Sequence, residues 1–193
     1  MKYIFILLGA IGLIVLLLLM PKQPGSARER SSGMAANPDS LKLMQAIDFV
    51  NGSNPMQGIQ MLREIVASDS MNLDAQFYLG LFSVKSGQLD KAADRFRKVI
   101  AIDSTYAQAY TELGAVLLQS DSVDAALAQF SHCLVFAPDN LDALFFSARI
   151  LEGKEKWEEA RKNYARVLEL NTDSIVNVRV QELIERIDQK IKP

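Results

Sequence analysis

The chain is poor in the side chains that carry chemistry: among 193 residues there is one cysteine, one histidine and one tryptophan. A lone Cys133 excludes a disulfide within the chain, and a lone His132 excludes metal sites built from several histidines. No glycine-rich loop of the kind that cradles phosphate is present. Between Lys98 and Arg149 the sequence has no lysine or arginine, while Asp103, Glu112, Asp121, Asp124, Asp139 and Asp142 all fall inside that stretch. Such a stretch reads as a solvated acidic surface, with a docking patch for a basic partner as the alternative. Because no basic stripe exists, nucleic acid is not an expected partner. The adjacent acids Glu158 and Glu159 diverge by about 100° on a helix, so they do not converge as an acid–base pair and instead suit a helix start. No catalytic, cofactor-binding or metal-ligating residue is assigned, and enzyme activity is not expected.

What the chain does have is a period. Ala92, Ala126 and Ala160 recur every 34 residues, as do Phe96, Phe130 and Tyr164, and Ile100, Leu134 and Leu168. Gly80 and Gly114 continue as Ala148, and Leu79 and Leu113 continue as Ser147. Small and large apolar landmarks at this period mark stacked helical hairpins. Within one period Ala92, Ala93, Phe96, Val99 and Ile100 sit at helical spacing, and Ala126, Phe130, Cys133 and Leu134 repeat the stripe. The glycines and alanines let two backbones approach closely, and the aromatic fills the space one turn on. Asp103-Ser104, Pro138-Asp139-Asn140 and Asn171-Thr172-Asp173 interrupt the pattern with cap and turn residues. One hairpin cannot bury its own apolar face, so the units must stack.

The segment Tyr110-Thr111-Glu112-Leu113-Gly114-Ala115-Val116-Leu117, followed by Ala126, Phe130 and Pro138, resembles the tetratricopeptide repeat (TPR) family, with Leu117 its one departure. The unit at 73–106 keeps Leu79, Gly80, Gly87, Ala92 and Phe96, but has Gln76 and Ser83 for aromatics and Ser104 for proline. The unit at 141–174 keeps Trp157, Ala160, Tyr164 and Leu168, and departs at Leu144, Ser147 and Thr172. A unit at 39–72 is degenerate, with Gly58 and Leu62 where alanine and phenylalanine belong. The resemblance implies an all-α fold, an α-solenoid of about four helix-turn-helix hairpins. In that frame His132 is an exposed, inert imidazole, Cys133 a small buried filler, and Trp157 packs at the turn between helices.

The two ends read differently. Ser174 is expected to cap a helix over 175–193 whose stripe Val176, Val180, Leu183, Ile184, Ile187 and Ile191 covers the last unit. Glu182–Arg186 and Asp188–Lys192 are spaced as i,i+4 pairs on its polar face. At the other end Tyr3 to Met20 is an uncharged apolar run, long enough at about 1.5 Å per residue to span a bilayer. One transmembrane anchor is therefore expected at 1–20, followed by a flexible tether at 21–38. A cleaved signal peptide, with a small-residue site at Gly25-Ser26-Ala27, is the alternative. The expected location is a bacterial inner membrane with the repeats in the periplasm. Lys22, Arg28 and Arg30 beyond the run argue for the cytoplasmic side instead.

In the resembled family the first helix of each hairpin lines a concave groove. The resemblance places Leu43, Ile47 and Val50 there, then Phe77, Leu81 and Val84, then Thr111, Ala115 and Leu118, and finally Phe145, Arg149 and Glu152. Chaperone-binding members grip a C-terminal carboxylate with Lys, Asn and Arg in this row. Here Arg149 is its one cation, which disfavours such a clamp. The expected function is a membrane-tethered scaffold that holds a peptide or helix of a partner protein in an apolar groove and helps assemble a membrane or envelope complex. The alternatives are a self-associating module forming a homo-oligomer, or an accessory subunit of a biogenesis machinery like the cytochrome-maturation TPR proteins.

Overall fold

The computed structural model describes residues 38–192. The anchor expected at 1–20 and the tether expected at 21–38 lie outside the described residues, except that Pro38 already opens the first helix. Among the described residues there are nine α-helices and no strand: α1 Pro38–Asn51, α2 Pro55–Ser68, α3 Leu73–Lys85, α4 Leu89–Ile102, α5 Ala107–Gln119, α6 Val123–Phe136, α7 Leu141–Gly153, α8 Trp157–Leu170 and α9 Ser174–Ile191. None of them is long and apolar enough to cross a membrane. The starts of α2, α4, α6 and α8 fall 34 residues apart, as do those of α3, α5 and α7. The described residues form a helical solenoid.

Cap and turn chemistry sets these boundaries. Asn72 and Asn140 accept hydrogen bonds on their side chains from the amides of Ala75 (3.0 Å) and Ala143 (2.8 Å), each satisfying a free donor at a helix start. Tyr106 stands at the intervening position without a side-chain cap bond, and its ring goes into the core instead. Within the hairpins, Gly87, Asp121 and Glu155 occupy the same repeat position with φ of 69°, 57° and 59°. This left-handed residue lets the next amide reach back to the first helix. Gln88 N donates to Ser83 O (2.8 Å), Ser122 N to Leu117 O (2.8 Å) and Lys156 N to Leu151 O (2.9 Å).

Close backbone approach explains the small residues. A methyl added at Gly80 or Gly114 would lie 2.7 Å from the ring of Phe96 or Phe130. The degenerate first hairpin makes the same contact with the roles exchanged. Ala46 takes the glycine position and Gly58 the alanine position, where a methyl would come 2.5 Å from the Ala46 carbonyl oxygen. Leu62 fills the aromatic's place and is fully buried. The loss of the family pattern there is a repacking of one contact, not a loss of the hairpin.

Each helix packs on its chain neighbours, and the first helices α1, α3 and α5 also touch one another in sequence. Of the first helices, α1, α3 and α5 therefore lie side by side along one face. At the C-terminal end Val180, Leu183, Ile184 and Ile187 of α9 are buried against the last hairpin. Two expectations for this helix are corrected. Asp173, not Ser174, is its N-cap, accepting from Ile175 N at 2.8 Å and Val176 N at 3.3 Å, because its carboxylate sits one residue earlier with extended backbone. Glu182 pairs with Arg179 of α9 at 3.1 Å, while one charge from each expected i,i+4 pair reaches another helix: Arg186 lies 3.6 Å from Glu152 of α7, and Asp188 lies 2.6 Å from Arg161 of α8. They fasten the cap to the solenoid.

Candidate functional site

The sequence row on the first helices divides in two once its neighbours are known. Phe77, Thr111 and Phe145 share one repeat position and are 3 %, 7 % and 3 % exposed. Their side chains face the second helix of their own hairpin, so they are core and not groove. The Phe77 ring lies 5.7 Å from Phe96 and 5.3 Å from Tyr106. Phe145 lies 5.9 Å from Tyr164. Thr111 Oγ1 lies 3.0 Å from the Cys133 sulfur. Burial pushes the Cys133 thiol up from its ordinary range, as expected of an inert filler.

The remaining positions stay partly open. Leu43 and Ile47 of α1, Leu81 and Val84 of α3 and Leu118 of α5 are half-buried, and Arg149 of α7 is exposed. Leu43 shares the repeat position of Phe77, and the others fall on two ladders one helical turn apart: Ile47, Leu81, Ala115, Arg149 and Val50, Val84, Leu118, Glu152. Both are apolar through three units and turn charged in the fourth. The inward edges of Leu81 and Val84 rest on the core cluster around Phe96, which holds them in place while their outer edges meet solvent.

The charged end is a built cluster. Tyr164 donates its hydroxyl to Glu152 Oε2 at 2.9 Å, and Arg186 approaches Oε1 at 3.6 Å. Burial first, then the Glu152 charge, drive the Tyr164 hydroxyl far above its ordinary value, so it remains a proton donor. Glu152 is thus engaged on both oxygens, with the exposed Arg149 one turn before it on α7. The repeat frame did not reveal Arg186, because it comes from a helix outside the period.

Elsewhere the surface offers little. His132 is exposed, as expected, but it also stacks on Tyr110 at 5.6 Å, with Phe136 on the same ring at 6.0 Å. A cleft of about 830 Å³ beside α8 is lined by Asp139, Arg161, Lys162 and Arg166 among others. Arg166 is already bonded to Asp139 (2.6 Å) and Glu169 (2.7 Å), and Arg161 to Asp188, so most of its charge is committed. Among the described residues no three His, Cys, Asp or Glu side chains are grouped to hold a metal ion.

A family model described as TPR repeat matches residues 83–121, from the end of α3 to the turn after α5. Among curated proteins no sequence matches the chain. Among solved structures, MamA is 25 % identical with a TM-score of 0.62, over 69 % of this chain and 78 % of that one. The type III secretion chaperone SycD of Yersinia enterocolitica, in complex with a peptide of the translocator YopD, is 22 % identical with a TM-score of 0.57, over 62 % and 95 %. The first TPR of Spaghetti (RPAP3), bound to an HSP90 peptide, is 22 % identical with a TM-score of 0.56, over 64 % and 95 %. With the repeat model matching at the centre of a solenoid whose hairpins recur at its period, the chain is a tetratricopeptide repeat protein.

Proposed function

We propose that the solenoid is a non-enzymatic interaction module, tethered to a membrane by the apolar run Tyr3–Met20, that holds a segment of a partner protein along its first-helix face. The observation that carries this reading is the double apolar ladder of Ile47, Leu81, Ala115 and Val50, Val84, Leu118, which the solenoid leaves half-covered. Similar solenoids have been solved with peptides bound. The same face lacks the row of cations that a carboxylate clamp needs, so affinity comes from apolar contact. The role that follows is assembly of a complex at the membrane, with the repeats on its periplasmic side.

The test is photo-crosslinking in cells from residue 118 of the full-length protein, with Leu81→Lys added in a second arm. Partner capture at 118 that disappears with Leu81→Lys, while helical circular dichroism is retained, is the expected result. Capture only from outer positions such as Val135 would refute the reading. Extraction of the full-length protein by alkaline carbonate would refute the tether alone.

A further inference from the structure

Resting on the membrane tether proposed above, we infer that a patch of Met71, Arg63, Arg95 and Lys98, on the first two hairpins, docks on anionic lipid headgroups. None of these residues belongs to the first-helix ladders. Met71 lies in the loop between α2 and α3 and is 57 % exposed. The same loop position in the later units is Thr105, Asp139 and Asp173, all polar. Its amide donates to Asp69 Oδ1 at 2.9 Å, a local turn that fixes the loop under the exposed thioether. The preceding residue, Ser70, gives its carbonyl to Gln76 Nε2 at 2.8 Å, and Gln76 Oε1 accepts from Arg95 Nη1. This chain of bonds ties a half-buried guanidinium to the loop that carries the methionine. The acceptor is a neutral amide. Burial, then the charge of Arg63 on α2, lower the Arg95 pKa, so a second cation stands within electrostatic reach. Lys98 follows one turn beyond Arg95 on α4, at the repeat position where His132 meets Tyr110, the counterpart of Gln76. The acids next to Arg63 and Arg95, Glu64 and Asp94, are bonded to Lys42 and Arg97 at 3.0 Å each and do not cancel the patch.

Two observations select lipid as the occupant. An exposed apolar tip among cations suits the boundary of a bilayer, where the tip enters the acyl edge and the cations stay with the phosphates. The second is where the patch falls in the chain. The apolar run ends at Met20 and α1 opens at Pro38, and whatever path residues 21–37 take, they reach at most about 60 Å. The first hairpins are thus held near a bilayer that the run spans, and at that effective concentration a contact too weak to capture a free protein is sufficient. No lysine or arginine follows between Lys98 and Arg149, so the patch ends with α4.

The test uses full-length protein in nanodiscs of phosphatidylcholine, alone or mixed with phosphatidylglycerol, each carrying a spin-labelled phosphatidylcholine that quenches fluorescence near the headgroups. A dye is placed on Met71→Cys, and separately on Val135→Cys, in a Cys133→Ala background. Val135 is also exposed but lies in the stretch without cations, so it serves as the control. Quenching at position 71 is expected to be at least about twofold stronger in anionic than in neutral discs, and to fade as salt is raised. Arg63→Glu, at an exposed position, should roughly halve that excess, and adding Lys98→Glu should remove it with helical circular dichroism retained. Arg63→Lys should preserve it. Equal quenching at 71 and 135, equal quenching at 71 in both lipids, or indifference to Arg63→Glu overturns the proposal. Protection of position 71 that follows protein concentration and not anionic lipid assigns the patch to a second copy or an acidic partner, and also overturns it. Protein that fails to co-elute with nanodiscs refutes the tether, and the docking falls with it; co-elution without quenching at 71 refutes the docking alone.

Discussion

Gln76 and Tyr110 stand one repeat apart and tie down carbonyls that are themselves one repeat apart. Gln76 Nε2 donates to Ser70 O at 2.8 Å, and the Tyr110 hydroxyl donates to Ser104 O at 3.0 Å. Two unrelated side chains therefore do one job, closing the loop that joins successive hairpins. Gln76 is fully buried and also accepts from Arg95 Nη1, so its amide is satisfied at both ends. Gln76→Ala removes both bonds and opens a cavity, and we expect a loss of about 2–4 kcal/mol in urea unfolding. Gln76→Tyr should cost less, because its hydroxyl can take the Ser70 carbonyl as Tyr110 takes Ser104. Equal losses for the two would refute the equivalence.

The left-handed turn position predicts a gain. Asp121 and Glu155 carry side chains at φ of 57° and 59°, where the equivalent residue Gly87 has none. Asp121→Gly and Glu155→Gly should each stabilise the fold by up to about 1 kcal/mol, the steric strain removed outweighing the entropy glycine adds to the unfolded chain. Gly87→Ala, which meets no neighbour, should lose a similar amount from strain alone. Thermal melts of the three variants check the sign directly.

The buried hydroxyl of Ser147 has no hydrogen-bond partner. It occupies the position held by Leu79 and Leu113 in the earlier units. Ser147→Ala should raise the melting temperature, since an unpaired buried hydroxyl costs roughly 1–3 kcal/mol. A lowered melting temperature would show that the hydroxyl is bonded in solution.

Cys133 predicts a pH dependence. Its folded-state pKa is raised, chiefly by burial, so the folded chain favours the neutral thiol. The stabilisation is present below the unfolded thiol's pKa of about 8.5 and is lost as pH rises above it toward the folded value. Native protein should therefore resist thiol reagents, with labelling tracking global unfolding. Rapid labelling under native conditions would place the sulfur outside the core. Cys133→Ala should flatten the alkaline decline in stability.

The period alone located the hairpins, because a 34-residue recurrence of small and aromatic residues has few other physical causes. It did not locate the boundary between groove and core. Phe77 and Leu81 look alike in sequence, one turn apart on the same helix. What separates them is Tyr106, the last residue of the same unit, whose ring covers Phe77 in place of capping α5. Such contacts at the junction of two hairpins have no signature in the spacing. The exchange of Ala46 and Gly58 was hidden for a related reason: sequence shows a broken motif, whereas geometry shows one close contact made from the opposite side. Arg186 escaped because a capping helix obeys no repeat.

The nearest-neighbour packing has a kinetic consequence. The side-chain bonds between helices named above join residues close in sequence, with Arg186 and Glu152 34 positions apart and Lys154 and Asp124 30. Contacts this local need little loop closure, the condition under which chains fold fast. Each hairpin can close as it leaves the ribosome, docking on the one before it while the next is still being made. Synthesis from the N-terminus thus adds α9 after the hairpins it covers, and the growing solenoid presents an uncovered apolar end until that helix arrives.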